Sequence, residues 1–252
     1  MNRFLRSLLV AVLVPAFVPV ALGQSLSDLA REKRWADQVL PSLVVGDALW
    51  LEFGGVKFLS LYAAPEKPRG AVLLLHGAGL HPDHGVTGEL RVALLDKGWA
   101  TLSVQLPVHP PEVDDGAEYR KLHPEAGGRI EAALALLRSK GFARPAVVSH
   151  AMGTGMFYSW WRARRDPAIA AWAAMSMYGA LDDLADAPFP VFDLYGRNDY
   201  RGVRGPADDR KAILDKLPGS RQLAAQDGGR FLAGGEQTVL REVGAFLEAA
   251  SR

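Results

Sequence analysis

The chain has 252 residues, of which 49% are hydrophobic and 23% are charged, and 29 basic side chains nearly balance 28 acidic ones. This composition predicts a globular protein long enough to bury a full core as one α/β domain, although two small domains also fit the length. The balanced charge gives no electrostatic reason to expect nucleic acid or an anionic membrane surface as a partner. Because the sequence contains no cysteine, disulfides, thiolate catalysis and cysteine-ligated zinc are excluded.

Residues 1–23 have the pattern of a secretory signal peptide. Two arginines precede an apolar run over residues 7–22, and Ala21 and Gly23 provide the small side chains of a cleavage site before Gln24. Cleavage would remove two of the 29 basic residues and no acid, which leaves 27 against 28 and a net charge of −1. We therefore predict a periplasmic or secreted protein with no stable membrane span after cleavage. The alternative is an uncleaved anchor, although the run is slightly short for a bilayer and contains two prolines.

The residues that follow predict a short N-terminal segment and then one main domain. Residues 24–43 are polar with irregularly placed apolar side chains, and we expect a helix and a connector there. The main domain is predicted over residues 44–252. It opens with two extended runs that end at Tyr62 and are joined by a Gly-Gly pair at 54–55, which predicts a β-hairpin.

Short apolar runs then alternate with helical patterns. The runs predict strands that are covered on both faces, and they span residues 71–75, 100–106, 146–149, 170–176, 190–195 and, more weakly, 222–225. Apolar side chains have helical spacing at Ile130, Ala133, Leu134 and Leu137, over residues 154–165, and over residues 239–247. This alternation predicts an α/β protein with a doubly wound, mostly parallel sheet of about eight strands.

A glycine-rich turn, His76-Gly77-Ala78-Gly79, directly follows the strand at 71–75. Backbone amides in such a turn, here those of Ala78 and Gly79, can point into the crevice at the carboxyl ends of the strands. There they can bind a carbonyl or a negatively charged oxygen. For His76 we favour a structural, hydrogen-bonded role over direct catalysis.

A second turn joins the strand at 146–149 to the following helix. Ser149 and Gly153 supply small side chains where strand and helix approach each other, and the amide of Met152 is expected to face the crevice. A sharp turn of this kind strains its central residue by roughly 1–3 kcal/mol. That residue is Ala151, whose methyl group can perform no catalytic step.

From about residue 44 onward the chain resembles the α/β-hydrolase superfamily. Within it, the runs 75–83 and 98–107 resemble an uncharacterised bacterial family of exported, hydrolase-like proteins. The resemblance implies an α/β-hydrolase fold in which Ala151 occupies the position of the nucleophilic serine. Only residues 179–189 separate the sixth and seventh strands, so we predict no cap domain.

The resemblance also locates the other two triad positions. Asp199 stands at the acid position, and Gly229 or Arg230 stands where the superfamily has its histidine. All six histidines lie within the first 150 residues, so none follows the nucleophile as the fold requires. A guanidinium cannot act as a general base. We therefore interpret Asp199 as a helix-capping residue or a partner of Arg197 or Arg201, with an ion pair to Arg230 as a further alternative.

Two other groups of residues could form a catalytic site. The first consists of five imidazoles and one carboxylate near the crevice, which are His76, His81, Asp83, His84, His109 and His123. Such side chains could hold zinc, but their spacing fits no zinc motif. We therefore predict neither a metal nor another cofactor. Ser149 and His150 should point to opposite sides of an extended chain and therefore cannot form a catalytic pair. Trp160, Trp161 and Trp172 are interpreted as packing residues, with a ligand-stacking surface as the alternative.

The leading hypothesis is an exported α/β-hydrolase-fold protein that lacks the serine and the histidine of the triad. It would bind a small carboxylate or acyl ligand, or an envelope protein, without catalysis. Simultaneous absence of both residues favours natural loss over a laboratory substitution. The alternative is an ester or acyl hydrolase that activates water with His76, with His84 or with a metal. A purely structural role in the cell envelope comes third.

Overall fold

The computed structural model describes residues 26–113 and 115–251. The signal-peptide prediction and its membrane-anchor alternative therefore lie outside the described residues. In the described part of the chain, no helix is long and apolar enough to cross a membrane.

One mixed sheet organises the described residues. Its strands are β1 (Asp47–Phe53), β2 (Val56–Ala63), β3 (Ala71–Leu75), β4 (Ala100–Val104), β5 (Ala146–His150), β6 (Trp172–Met175), β7 (Val191–Gly196) and β8 (Arg221–Ala225). These eight strands lie in the order β1-β2-β4-β3-β5-β6-β7-β8. Strand β2 runs antiparallel to both β1 and β4, and the remaining neighbours are parallel. The predicted hairpin and the mostly parallel, doubly wound sheet are confirmed.

Helices cover both faces of the sheet. They are α1 (Leu29–Val39), α2 (Gly85–Asp96), α3 (Gly116–Arg120), α4 (His123–Ser139), α5 (Met152–Arg164), α6 (Arg201–Arg204), α7 (Ala207–Leu214) and α8 (Glu236–Ala250). Side chains of β3 alternate between the two faces: Leu73 and Leu75 pack with α4 and α5, and Val72 and Leu74 pack with α2 and α8. Burial on both sides explains why this strand is continuously apolar in sequence.

Two parts of the fold bear on the sequence predictions. The sequence interpretation assigned no element to α2, although Val86, Leu90 and Leu94 recur at the four-residue spacing of a helix face. Between β6 and β7 there is only a short 3-10 helix, Asp182–Asp186, so the prediction of no cap domain is confirmed. The carboxyl ends of the central strands are therefore not covered by an inserted domain.

The N-terminal helix α1 is joined to the main domain by a buried ionic network. Arg129 of α4 is fully buried, and its Nη1 donates to Glu32 of α1 at 2.7 Å and to the Gln105 carbonyl oxygen at 3.1 Å. Its Nη2 donates to Glu125 one helical turn away. Burial raises the pKa of Glu32 and the Arg129 charge opposes this shift. Helix α1 is thus attached to the sheet through a charge pair that is shielded from water.

Candidate functional site

The turn between β5 and α5 has the strained backbone expected of a nucleophile elbow. Ala151 has φ 48° and ψ −112°, in a region that side-chain-bearing residues rarely adopt. A Cβ at Gly153 would lie only 2.9 Å from the Leu75 carbonyl oxygen, so only glycine allows the helix to approach β3 this closely. The Ala151 N–H donates to the Met175 carbonyl at 2.8 Å. The elbow geometry is therefore present, and its central side chain is a methyl group.

His76 supports the glycine-rich turn and has no free nitrogen. Its Nε2 accepts the Leu106 N–H at 2.9 Å, so the proton resides on Nδ1, which donates to the Gly77 carbonyl oxygen at 2.8 Å. Burial lowers the pKa of His76 to about 3. A neutral imidazole with both nitrogens engaged cannot serve as a base, and the structural interpretation agrees with this geometry.

The backbone amides predicted to face the crevice differ in their surroundings. The Gly79 carbonyl oxygen accepts a hydrogen bond from Arg31 Nη2 at 3.4 Å. The Gly79 amide lies beside the Tyr119 hydroxyl. Burial raises the pKa of Tyr119, and the Gly79 amide partly opposes this shift. The amides of Ala78 and Met152 have no hydrogen-bond acceptor among the described residues. Ala78 is exposed and Met152 is half-buried at the first position of α5. The available donors are therefore those of Ala78 and Met152.

Asp199 is buried, and hydrogen-bond donors surround its carboxylate. Oδ2 accepts the Ser176 hydroxyl at 2.6 Å and the Gly196 N–H at 3.4 Å. Oδ1 accepts the N–H groups of Tyr200 at 2.8 Å and of Phe231 at 3.1 Å. Within the described part of the chain, no imidazole donates to this carboxylate. Sequence reasoning missed Ser176, because nothing in its local pattern indicates that it meets the loop after β7.

Two of the predicted partners of Asp199, Arg197 and Arg230, bind elsewhere. The Arg230 guanidinium lies over the Tyr200 ring at 4.2 Å, and Arg197 donates to Gln226 at 2.6 Å. All of these residues are described, and no ion pair joins Asp199 to Arg197, Arg201 or Arg230. The proposed Arg230–Asp199 salt bridge is wrong, because cation–π stacking on Tyr200 turns the guanidinium away. The Asp199 carboxylate accepts the N–H of Tyr200, but no side chain caps α6, so the helix-capping interpretation is also wrong.

His150 lies next to the elbow, although the sequence predicts no catalytic role for it. Its Nε2 lies 3.1 Å from the Phe231 carbonyl oxygen and therefore carries the proton, whereas Nδ1 is buried without a partner. A Cβ at Gly77 would be 3.4 Å from this Nδ1 and 3.6 Å from the Ala151 methyl group, so an imidazole does lie beside the elbow. Burial lowers the pKa of His150 to about 4. The Ser149 hydroxyl lies apart, with Trp172 and Thr154, so the two adjacent residues do point to opposite sides.

The histidine-rich loop after β3 is held by packing and an ion pair. His81 and His84 meet edge to face with ring centroids 5.2 Å apart, and His81 also contacts Trp35. Asp83 accepts Arg91 Nη2 at 2.6 Å. Over residues 26–113 and 115–251, no group of three or more His, Asp or Glu side chains is arranged to hold a metal ion. The one carboxylate of the loop is already committed to an arginine.

Comparison with known proteins places this geometry in a fold family. Residues 27–127 match a family described as "Protein of unknown function (DUF3530)". No curated protein matches the sequence.

Several solved structures share the architecture. Est1E from Butyrivibrio proteoclasticus is 14% identical, with 81% of this chain and 99% of that chain covered at a TM-score of 0.65. Dienelactone hydrolase from Anabaena variabilis is 17% identical, with 80% and 96% covered at 0.65. An α/β serine hydrolase homologue from Coxiella burnetii is 12% identical, with 81% and 99% covered at 0.60. At these identities the similarity establishes the fold alone, and the predicted α/β-hydrolase fold is confirmed.

Proposed function

We propose that this α/β-hydrolase-fold chain is an exported protein that has lost serine-hydrolase chemistry and binds a ligand or partner at the crevice beside Ala151. The observation that carries the proposal is the methyl side chain at the strained centre of the elbow. An acyl-enzyme needs a nucleophilic oxygen at this position. The backbone strain persists without the group that would use it.

The surroundings of Ala151 support the same conclusion. Phe231, next to the expected histidine position, contacts Asp199 through its backbone N–H and His150 through its carbonyl oxygen. In a catalytic triad an imidazole contacts the carboxylate. Here the backbone N–H of Phe231 makes this contact instead. The Ser176 hydroxyl, which donates to Asp199, provides no base either.

The chemistry of the crevice favours a small carboxylate or an acyl carbonyl as the ligand. The N–H groups of Ala78 and Met152 remain available, and Met152 begins helix α5, where the helix dipole adds partial positive charge. An anionic or polarised oxygen is the natural acceptor for such donors. An envelope protein presenting a carboxylate would use the same contacts.

Export rests on residues 1–23. Expression of the full chain in a Gram-negative host, followed by mass measurement of the periplasmic protein, tests it. A mass that begins at Gln24 is expected. Retention of the whole chain in the membrane fraction would indicate the anchor instead.

The non-catalytic role is tested with the mature protein. We expect no labelling by a fluorophosphonate probe and no hydrolysis of 4-nitrophenyl butyrate above background, with or without added zinc. Butyrate should bind saturably in calorimetry. Ala78→Trp should abolish this binding by filling the crevice, and Ala64→Trp, a change at another exposed alanine, should not.

The hydrolytic alternative would require a base next to Ala151, and His150 is the candidate. The unpartnered Nδ1 of His150 lies beside Ala151 and could accept a proton from water. Ester turnover that disappears in His150→Gln would replace the non-catalytic proposal with this one. With a pKa of about 4, His150 is a weak base near neutral pH, which favours the non-catalytic role.

A further inference from the structure

A groove of about 600 Å³ lies apart from the crevice, along α4, α5 and the end of β1. Its volume is within the range of small-molecule sites, roughly 300–1,000 Å³. The residues that define its chemistry are Phe53, Arg120, His123, Glu131, Trp160 and Arg164. None of them belongs to the elbow or to the glycine-rich turn.

Two aromatic rings form the apolar part of the groove. The Phe53 ring covers Gly128, where an added Cβ would overlap the ring, and it stays 40% exposed. The Trp160 side chain lies over the neighbouring Gly127, 3.5 Å from the position of an added Cβ. The two glycines of α4 therefore let both rings lie close to the helix. The Phe53 ring presents its outer surface to the groove, whereas Trp160 is only 6% exposed and adds a small apolar area to the wall. A flat, apolar ligand fits such walls.

The groove carries more positive than negative charge. Most arginines around α5 are paired: Arg138 with Asp166, Arg162 and Arg165 with Asp183, and Arg164 with Glu131. The Arg120 side chain, which lines the groove and is exposed, has no hydrogen bond or ion pair among the described residues. The pairing of Arg164 with Glu131 leaves the groove with one uncompensated positive charge. An anion is the complementary ligand.

His123 also lines the groove. The Nε2 atom of His123 is shielded from solvent and has no hydrogen-bond partner. It lies 3.9 Å from the position of an added Cβ at Gly155, on the first turns of α5. Because this nitrogen is shielded and packed against α5, His123 contributes to the wall of the groove and is not one of the proposed ligand contacts.

We propose that this groove binds a small aromatic carboxylate. The ring lies against Phe53 and the exposed part of Trp160, and the carboxylate pairs with Arg120. The site is separate from the crevice beside Ala151, so it does not depend on the function proposed there.

Calorimetry on the mature protein with 4-hydroxybenzoate tests this site. Binding should be saturable, and about tenfold weaker for 4-hydroxybenzamide, which lacks the charge, and for cyclohexanecarboxylate, which lacks the aromatic ring. Arg120→Gln should weaken 4-hydroxybenzoate binding about tenfold through loss of the charge-assisted hydrogen bond. Arg162→Gln, which removes a nearby arginine that is paired with Asp183, should leave the affinity unchanged.

Location is tested by blocking each site in turn. These measurements use the Ala78→Trp background, in which the crevice proposed to bind carboxylates is filled, and 4-hydroxybenzoate should still bind in this background. Ala163 is exposed and lines the groove, so adding Ala163→Phe should abolish this remaining binding without disturbing the core. Thermal melting of each variant shows that it is folded. The proposal is wrong if 4-hydroxybenzoate fails to bind saturably, if Arg120→Gln binds it as tightly as the parent, if Ala78→Trp removes binding, or if binding remains after Ala163→Phe is added.

Discussion

At the scale of single residues, the elbow keeps a costly backbone conformation around a methyl group. Ala151 has a positive φ with an unusual ψ, and its side chain is 5% exposed. Strain of this kind costs roughly 1–3 kcal/mol and persists only when the surroundings enforce it. Here the contact of Gly153 with β3 and the bond from the Ala151 N–H to Met175 enforce it.

The strain makes a measurable prediction at position 151. Glycine adopts positive φ without steric penalty, so Ala151→Gly should raise the free energy of unfolding by about 1 kcal/mol. Urea denaturation measures this change. The control is Ala245→Gly, at an exposed position in the interior of α8, which should lower stability by about 1 kcal/mol, as glycine ordinarily does in a helix. Equal destabilisation by both substitutions would show that the elbow is not strained.

A serine at position 151 should not confer catalysis. In Ala151→Ser the new hydroxyl has no base with a suitable pKa, because burial lowers the pKa of the neighbouring His150 to about 4 and Asp199 has no imidazole partner among the described residues. We expect no hydrolysis of 4-nitrophenyl butyrate and no fluorophosphonate labelling. Turnover in this variant that is lost on adding His150→Gln would instead identify His150 as a competent base.

At the scale of elements, two buried histidines join loops at the crevice. His76 joins the end of β3 to the segment after β4, and His150 joins the end of β5 to the loop before α8. Both are neutral hydrogen-bonding groups in the folded protein, since burial lowers their pKa values to about 3 and about 4. Their ordinary pKa near 6.5 returns on unfolding.

These shifts predict the sign of the pH dependence. Between about pH 4 and 6.5 the unfolded chain binds protons that the folded chain excludes, so the histidine contribution to stability is present above pH 6.5 and is lost as the pH falls. The raised pKa of Glu32 acts in the opposite sense. Urea denaturation at pH 7, 6 and 5 should therefore give a slope for His150→Gln that is shallower than the parent slope by about 1 kcal/mol per pH unit. Identical slopes would mean that His150 is not buried as a neutral group.

At the scale of the whole molecule, the N-terminal helix and the main domain share one buried charge network. Arg129 stands between Glu32 and Glu125, and α1 also places Arg31 beside the Gly79 carbonyl at the crevice. Removing one member of a buried pair leaves an uncompensated charge, at a cost of about 3–5 kcal/mol.

Arg129→Ala should accordingly lower the free energy of unfolding by about 3–5 kcal/mol. The control lies on the same helix: Arg138 is partly exposed in its pair with Asp166, and Arg138→Ala should cost about 0–1 kcal/mol. Chemical denaturation of the two variants compares them directly. Similar losses would indicate that water reaches Arg129.

The succession of strands and helices, the absence of a cap and the alanine at the elbow can all be predicted from the sequence. Apolar periodicity and glycine placement are local properties of the sequence. A strand that is buried on both faces, such as β3, can be predicted from its five consecutive apolar residues. The partners of His150, Ser176 and Asp199 are visible only in the folded protein. The contact between His150 and Phe231 spans 81 positions, and that between Ser176 and Asp199 spans 23. Such pairs form because parallel strands bring distant loops to one edge of the sheet, where packing and competing donors select each partner. The same reason explains why Arg230 turned to Tyr200 and why the groove along α4 and α5 has no signal in the sequence.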